Sequence, residues 1–448
     1  MTSFWCEQAL IGNPEAGRIA TGVVVEEVHG RITHIEERTL APTGATRLSG
    51  LVLPGLSNAH SHAFHRVLRG ATERARGDFW SWRDAMFEVA QVLEPDTYEP
   101  LCSAVFAEMA LSGITTVGEF HYVHHAPGGT AYADPNAMTS AVIAGAQRAG
   151  IRLSVIDTCY LTGGIGEPLA GAQARFGDVT AEGWRERVER FVTDETSRLC
   201  AGVHSVRALS PKDIEFVASF ARTNSLPLHF HLSEQKKENE QSLAAYGRTP
   251  TRLLSDCGAL GPSSVAVHAT FAGESDVALL GSSKTAVCLC PSTEQDLADG
   301  IGPAEALARC GSPLVLGSDS NALVDLFAEA RGVELDGRLA SGRRAILEPE
   351  ALLASATTTG ARALGWPDAG EISVGSFCDL LALDTRSSRL AGAVEVDPVA
   401  AVVFCANASD VTDVVVGGRT VVKERRHVAF DDLARSLSAA IGALRNAA

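Results

Sequence analysis

The sequence lacks long apolar segments, dense cysteine and any recognisable export signal. No uncharged hydrophobic run approaches the roughly 18 residues that a membrane-spanning helix needs, so we expect no membrane partner. Ten cysteines among 448 residues are too few for a disulfide framework, so free thiols are expected. The first residues contain no basic n-region of a secretory signal, which favours a cytoplasmic protein.

Positive charge is also scarce. The chain has 38 Lys and Arg against 54 Asp and Glu, a formal net charge of −16. Nucleic-acid binding depends on clustered Lys and Arg that contact phosphates, so the composition argues against a nucleic-acid partner. Hydrophobic residues make up 46% and charged residues 21% of the chain, which excludes a disordered or fibrous protein.

Both ends of the chain are rich in β-branched residues. Residues 21–28 and 31–37 are separated by a His-Gly pair and predict a hairpin. We therefore predict one small β-sandwich domain that is built from residues 1–52 and 367–448. The remaining elements predicted near the C terminus are short strands at 370–375, 378–384, 401–404 and 411–422, and a helix at 431–446.

The middle of the chain, residues 53–366, alternates short apolar segments with amphipathic helical segments. Eight strand candidates in such an alternation predict an α/β fold, a (β/α)8 barrel of the TIM type. The strand candidates are residues 50–54, 114–120, 152–157, 202–206, 227–231, 264–268, 285–290 and 313–319. The predicted helices are residues 98–112, 136–149, 181–199, 211–224 and 303–310.

A long segment, residues 57–97, lies between the first two strand candidates and contains Trp80 and Trp82. Segments this long inside a compact domain are usually lids or binding loops. We therefore predict that residues 57–97 cover or line a binding site.

Two histidine pairs lie near the ends of strand candidates. His60-Ser-His62 follows the first candidate, and His229-Phe-His231 ends the fifth. In an extended chain, residues i and i+2 point the same way, so both imidazoles of a pair can reach one metal ion. Either pair alone is weak evidence, because core or surface histidines explain most such pairs.

His268 ends the sixth strand candidate and Asp319 ends the eighth. Barrel active sites are built at this C-terminal rim. The alternative interpretation, unrelated core histidines and a helix-capping aspartate, explains any one of these residues but not their accumulation at four strand ends. Three imidazoles and one carboxylate suit Zn²⁺, and Fe²⁺ is the next candidate. No lysine lies near the end of the fourth strand candidate to bridge two metals, so one ion per chain is expected.

Glu234 lies three residues after His231. A carboxylate there can accept a proton from the attacking water and pass it to a leaving nitrogen. The alternative role of Glu234 is to cap the following helix.

Seven short segments, spread over nearly the whole predicted barrel, carry a resemblance to a known enzyme family. They are NAHSHAFHR at 58–66, FHYVHH at 120–125, HSVR at 204–207, HFHLSEQKKE at 229–238, VHAT at 267–270, CPSTE at 290–294 and GSDS at 317–320. The chain resembles the amidohydrolase superfamily and, within it, the formimidoylglutamate deiminases of histidine degradation. The HxH pair with a distant His and Asp marks only the superfamily, whereas the combination of HSHAF, FHYVHH, HSVR and HLSEQ is narrower.

The resemblance implies zinc-dependent hydrolysis of N-formimino-L-glutamate to N-formyl-L-glutamate and ammonia, with metal-bound hydroxide attacking the formimino carbon. It implies one zinc ion per chain, and the implied ligands are His60, His62, His231 and Asp319. Proton transfer and orientation of the nucleophile fall to Glu234, His268 and Asp319. The implied contacts to a small anionic dicarboxylate substrate are His65, Arg83, Tyr122, His204, Arg207 and Ser320. Members of this family are usually homodimers, so a homodimer is expected.

One position departs from the family pattern, since His65 stands where we associate Gln with this activity. Histidine still donates a hydrogen bond, but it is bulkier and can become charged near pH ~6.5. We expect either altered affinity or a related formimino or guanidino acid as the substrate. His124 and His125 are expected to be packing or supporting groups rather than ligands.

Two alternatives remain open. A deaminase of guanine, cytosine or triazine rings would have a pocket lined by aromatic and amide side chains, whereas a dicarboxylate needs local cations such as Arg83 and Arg207. Without the resemblance, surface salt bridges would be the simpler role for Arg83. A non-catalytic binding barrel is the second alternative, and it predicts loss of the ligand residues.

Overall fold

The computed structural model describes residues 2–72 and 79–447. Within these ranges the chain forms sixteen β-strands and fifteen α-helices. None of the described helices is long and apolar enough to cross a membrane. The strands are β1 (Thr2–Ile11), β2 (Arg18–Val28), β3 (Arg31–Glu36), β4 (Thr46–Pro54), β5 (Leu56–Ser61), β6 (Ile114–His121), β7 (Arg152–Cys159), β8 (Ser197–Val203), β9 (Leu228–Leu232), β10 (Ser264–His268), β11 (Ala286–Leu289), β12 (Leu314–Leu316), β13 (Leu380–Leu383), β14 (Val411–Val416), β15 (Arg419–Lys423) and β16 (Arg426–His427).

The helices surround and connect these strands. They are α1 (Phe79–Val92), α2 (Pro95–Leu111), α3 (Ala137–Ala149), α4 (Ala181–Val188), α5 (Pro211–Thr223), α6 (Lys236–Tyr246), α7 (Pro250–Asp256), α8 (Glu274–Ser283), α9 (Pro291–Asp296), α10 (Ala304–Cys310), α11 (Leu326–Ser341), α12 (Pro349–Ser355), α13 (Thr358–Ala363), α14 (Pro398–Cys405) and α15 (Leu433–Arg445).

Strands β5 to β12 form one parallel sheet in sequence order. A further parallel bridge joins Ser61 at the end of β5 to Asp319, three residues after β12, so the two edges of the sheet meet. Helices separate most consecutive strands, as the right-handed β/α alternation requires. The predicted (β/α)8 barrel is confirmed.

The remaining strands form a second sheet in the order β16-β15-β14-β13-β4-β1-β2-β3. Strand β4 pairs with β1 in parallel and with β13 in antiparallel orientation, and so joins the strands from the two ends of the chain. The predicted hairpin forms between β2 and β3, where His29 and Gly30 both adopt positive φ, as a tight two-residue turn demands. The small β unit assembled from both termini is therefore confirmed.

The first predicted barrel strand, residues 50–54, is wrong: these residues belong to β4 of the second sheet. The cause is that β4 is apolar on both faces. Leu51 and Leu53 pack in the barrel core, while Leu48 and Val52 pack in the core of the second sheet. Such a strand has the continuous apolar pattern of a barrel strand, which periodicity alone cannot distinguish.

Three smaller predictions are also wrong. Residues 401–404 lie in helix α14, which begins after Asp397, whose carboxylate accepts the amide of Ala400 at 2.9 Å. The helix predicted over 181–199 ends at Val188 as α4, and β8 begins at Ser197. Residues 370–375 form no strand in the described structure beyond a single bridge from Ile372.

Candidate active site

Three imidazole nitrogens and one carboxylate converge at the C-terminal rim of the barrel. Nε2 of His60 and Nε2 of His62 lie 3.2 and 3.3 Å from Oδ1 of Asp319. Nε2 of His231 lies 3.2 Å from Nε2 of His60. The four donor atoms are within 4.8 Å of one another and all four residues are buried, so the structure brings the four predicted ligands together.

The closing edge of the barrel fixes two of these ligands. The amide of His62 donates to the carbonyl of Asp319 at 2.9 Å, and the amide of Asp319 donates to the carbonyl of His60 at 3.0 Å. Asp319 has φ of 41°, an uncommon conformation for a residue other than glycine. Backbone pairing on both sides holds this conformation, as is frequent at functional sites.

Hydrogen bonds on the far side of the rings select the tautomer of two imidazoles. Nδ1 of His62 lies 3.0 Å from the carbonyl of Phe120, and Nδ1 of His231 lies 3.0 Å from the carbonyl of His204. A carbonyl only accepts, so each Nδ1 carries the proton and each Nε2 presents a lone pair to the cluster.

The protonation states of the cluster also suit a cation. Burial lowers the pKa of His60, His62 and His231, which keeps these rings neutral. Burial alone would raise the pKa of Asp319, but the neighbouring imidazoles hold it below its usual range. Three neutral imidazoles and one carboxylate, with donor atoms within 4.8 Å of one another, fit a divalent metal ion.

Glu234 and His268 lie beside the ligand cluster. Nε2 of His268 is 3.7 Å from Glu234 and 3.9 Å from Asp319, and its Nδ1 is 3.3 Å from Glu294. Burial lowers the pKa of His268, but the three carboxylates outweigh that effect and raise it well above the usual value. Burial raises the pKa of Glu234 to about 6. An imidazolium and a carboxylate that is easily protonated therefore adjoin the ligands.

A cavity of about 290 Å³ opens over this cluster. Five of the six predicted substrate contacts line it, namely His65, Arg83, Tyr122, His204 and Arg207. Ser320 is not on the described cavity wall, and its hydroxyl lies 3.0 Å from that of Thr293.

Aromatic side chains form much of the remaining wall. Those that contact the cavity besides the predicted residues are Phe79, Trp80, Trp82, Phe87, Tyr160 and Phe176. Helix α1 supplies four of them, so the predicted binding segment 57–97 does line the cavity. Its residues 73–78 lie outside the described residues.

The two predicted arginines have different surroundings. Nε of Arg207 is 3.3 Å from Glu238, and its Nη2 is 3.9 Å from Glu234, so this cation is held beside Glu234. The Arg83 guanidinium lies 4.8 Å from the Phe87 ring centroid and 5.3 Å from that of Trp80, and among the described residues no acidic side chain is recorded within ion-pair distance of it. A surface salt bridge is therefore not the role of Arg83 in the described part of the chain.

The imidazole of His65 is uncharged at neutral pH. Burial lowers its pKa to about 3. Its Nε2 lies 2.9 Å from the Tyr122 hydroxyl, and its ring centroid lies 4.4 Å from that of His62. The expectation that this side chain becomes charged near pH ~6.5 is wrong, because burial penalises the imidazolium. His65 instead fixes Tyr122 beside the ligands.

His124 and His125 belong to a different buried network. Nε2 of His124 lies 3.0 Å from the carbonyl of Thr158, and Nε2 of His125 lies 3.1 Å from Asp178. Arg187 lies 2.8 Å from both Asp178 and Asp157 and ties the network to helix α4. Neither histidine is among the clustered donor atoms at the barrel rim, so their role is to support the rim.

This network gives a stability prediction. Replacing Arg187 by Ala leaves two buried carboxylates without their cation, so the free energy of unfolding should fall by about 3–5 kcal/mol. Arg185→Ala is the matched control on the same helix, since Arg185 is partly exposed and pairs loosely with Glu189 at 3.7 Å. Its cost should stay below ~1 kcal/mol. Urea unfolding measures both; equal losses would contradict a network centred on Arg187.

Sequence reasoning missed several residues of the site. Glu294 belongs to a segment that resembles the family, yet its contact with His268 could not be inferred from spacing. Lys237 and Gln241 line the cavity and are four residues apart on α6, a helical spacing that indicates a shared face. Nothing in the sequence indicates that this face borders the cavity.

Comparison with known proteins agrees with this geometry. The amidohydrolase family profile matches residues 51–421. The chain is 36% identical over 417 residues to a formimidoylglutamate deiminase of Pseudomonas aeruginosa, covering 90% of this chain and 91% of the relative. It is 32% identical to a 5-methylthioadenosine/S-adenosylhomocysteine deaminase of Syntrophobacter fumaroxidans, covering 92% and 91%. A crystal structure of an amidohydrolase from Brucella melitensis superposes with a TM-score of 0.88 at 31% identity, covering 99% and 100%. The chain belongs to the amidohydrolase family.

Proposed function

We propose that this protein is a zinc-dependent deiminase that hydrolyses N-formimino-L-glutamate to N-formyl-L-glutamate and ammonia. The observation that carries the proposal is that one cavity is lined by three of the four clustered residues (His62, His231 and Asp319), by Glu234 and by the cations Arg83 and Arg207. Hydrolysis of the amidine needs the metal ligands and Glu234, and recognition of a dicarboxylate needs the two cations. The identity to the P. aeruginosa relative supports the same substrate.

The metal would be held by His60, His62, His231 and Asp319, whose donor atoms lie within 4.8 Å of one another. When bound, it would act as a Lewis acid that lowers the pKa of water toward neutrality. The chain supplies the other requirements, which are a buried cavity floor, a proton carrier and a fixed positive charge.

Glu234 carries the proton in the proposed reaction. A new C–O bond forms when water attacks the formimino carbon, and the proton released from the water passes to the Glu234 carboxylate. The formimino group is an amidinium at neutral pH, so its terminal nitrogen already carries two hydrogens. Protonated Glu234 gives that nitrogen a third hydrogen, the C–N bond breaks and ammonia leaves. The hydrogen that remains on the new oxygen passes to the Asp319 carboxylate as the formyl carbonyl forms, and from there to solvent. A pKa of about 6 allows Glu234 both to accept and to donate this proton, because its carboxyl group is ionised at neutral pH and accepts a proton at little cost.

His268 stabilises charge during these transfers. Its imidazole is held by Glu294 on one side and faces Glu234 and Asp319 on the other. An imidazolium in this position orients the attacking water and stabilises negative charge that develops on its oxygen.

The proposed function predicts a specific effect of removing cavity cations. Arg83→Ala and Arg207→Ala should each lower kcat/KM for formiminoglutamate by about 10- to 100-fold, because a guanidinium–carboxylate contact is lost. Ammonia release measures the effect. Arg222→Ala is the control, since this residue lies at the end of α5, donates to the carbonyl of Gly258 and does not line the cavity.

The same ammonia-release assay tests which substrate the protein prefers. Formiminoglutamate should give a higher kcat/KM than formiminoaspartate, guanine or cytosine. If both arginine variants retain wild-type turnover of the best substrate, the dicarboxylate assignment is wrong.

A second candidate function is deamination of an aromatic heterocycle. The aromatic wall of the cavity favours it, since flat rings stack on such side chains. Methylthioadenosine belongs in the substrate panel for this reason. Preferred turnover of a purine or a pyrimidine would replace the first proposal by this one.

A further inference from the structure

Lys237 is a cation of the cavity that lies in the segment 229–238, but neither the contacts implied by the resemblance nor the proposed chemistry gives it a role. It is the second residue of α6 and lines the cavity. Its Nζ lies 4.3 Å from the centroid of the Trp80 ring. Trp80 belongs to α1, so this cation–π contact connects α6 with α1 at the cavity.

The same indole also contacts Arg83, a second cation with no carboxylate partner among the described residues. Arg83 Cζ lies 5.3 Å from the Trp80 ring, and within residues 2–72 and 79–447 no acidic side chain lies within ion-pair distance of Lys237 or Arg83. Arg207, in contrast, is paired with Glu238 at 3.3 Å. In a chain of net charge −16, two cations that share one ring and lack a described counter-charge favour an anionic ligand.

The indole also orders the lysine before a ligand arrives. A free lysine side chain loses rotamer entropy when it binds an anion. Contact with an aromatic face restricts Nζ beforehand, so less entropy is lost on binding.

We propose that Lys237 is a specificity-determining residue that binds, together with Arg83, the side-chain carboxylate of the substrate. This inference rests on the proposed function. Arg207 adjoins Glu234, the group that serves the reacting amidine, so it is placed for the nearer α-carboxylate. Lys237 and Arg83, held together on Trp80, then receive the carboxylate that is farther from the reacting carbon.

A substrate-by-variant cycle tests this assignment. Lys237→Gln should raise KM for formiminoglutamate by about tenfold at unchanged kcat, because one charged contact outside the reacting centre is removed. With N-formimino-L-glutamine, whose side chain is an uncharged amide, the same variant should change KM by less than about twofold. Lys237→Arg should restore most of the affinity.

Lys236→Gln is the matched control. It removes the same charge from the adjacent residue, whose Nζ lies over the Phe271 ring at 5.4 Å and does not line the cavity. If Lys237→Gln behaves like Lys236→Gln, or raises KM equally for both substrates, the assignment is wrong while the proposed function stands. A wild-type protein that is inactive on every formimino acid would overturn the proposed function, and this inference with it.

Discussion

Replacing Glu234 by Gln should lower kcat for ammonia release by about 10²- to 10⁴-fold and leave the metal content unchanged. The amide keeps the size of the side chain and its place 3.7 Å from His268, but it cannot accept the proton from water. Metal binding should change little, since Glu234 is not among the clustered donors. Steady-state kinetics and emission spectroscopy on the same samples measure both quantities.

Glu240→Gln provides the control for this variant. Glu240 is exposed on α6 and does not line the cavity, so its replacement should leave kcat and metal content unchanged. If Glu234→Gln loses its metal, this residue acts on the metal site rather than as the proton carrier. If it keeps full activity, another group carries the proton and the proposed mechanism is wrong.

The barrel could be predicted from the sequence except at the strand that carries the first ligands. Strands β6, β7 and β11 contain apolar runs that identify them, whereas the start of β8, residues 197–199, has no such run and was predicted as the end of a helix. Strand β5 reads Leu-Ser-Asn-Ala-His-Ser and has no such signature, since four of its six residues are polar. Asn58, for example, contacts Ser318 across the closing edge at 2.7 Å. Strand β4, which immediately precedes β5, is apolar and matches the pattern of a barrel strand better, so it was predicted in place of β5.

Site residues could be predicted only where a side chain of a metal-binding type also lies near the end of a predicted strand. His60 and His62 have a ligand spacing and lie at a strand end, and the structure places them in the cluster. The supporting contact of Glu294 depends on how β10 and α9 meet in space, which local sequence does not encode. The charge of His65 depends on its burial, so the free-solution pKa gave the wrong expectation.

Replacing His231 by Ala should reduce the metal content from about one ion per chain to nearly none, and should lower kcat/KM by on the order of 10³-fold or more. His231 supplies one of only four clustered donors, and its Nδ1 is already committed to the carbonyl of His204. A three-donor remnant binds a divalent ion far more weakly, and without a Lewis acid water is a poor nucleophile at neutral pH. Emission spectroscopy and ammonia release measure the two losses.

His229→Gln is the control that separates metal loss from damage to strand β9. His229 precedes His231 by two residues and completes the same HxH pattern, yet its Nε2 lies 3.2 Å from the carbonyl of Ala363 and it is absent from the cluster. Its replacement disturbs an equally buried position of the same strand, so a merely structural effect would appear in both variants. We expect His229→Gln to retain about one ion per chain. Loss of metal in both variants would contradict the ligand assignment, and retention in both would exclude His231 from the site.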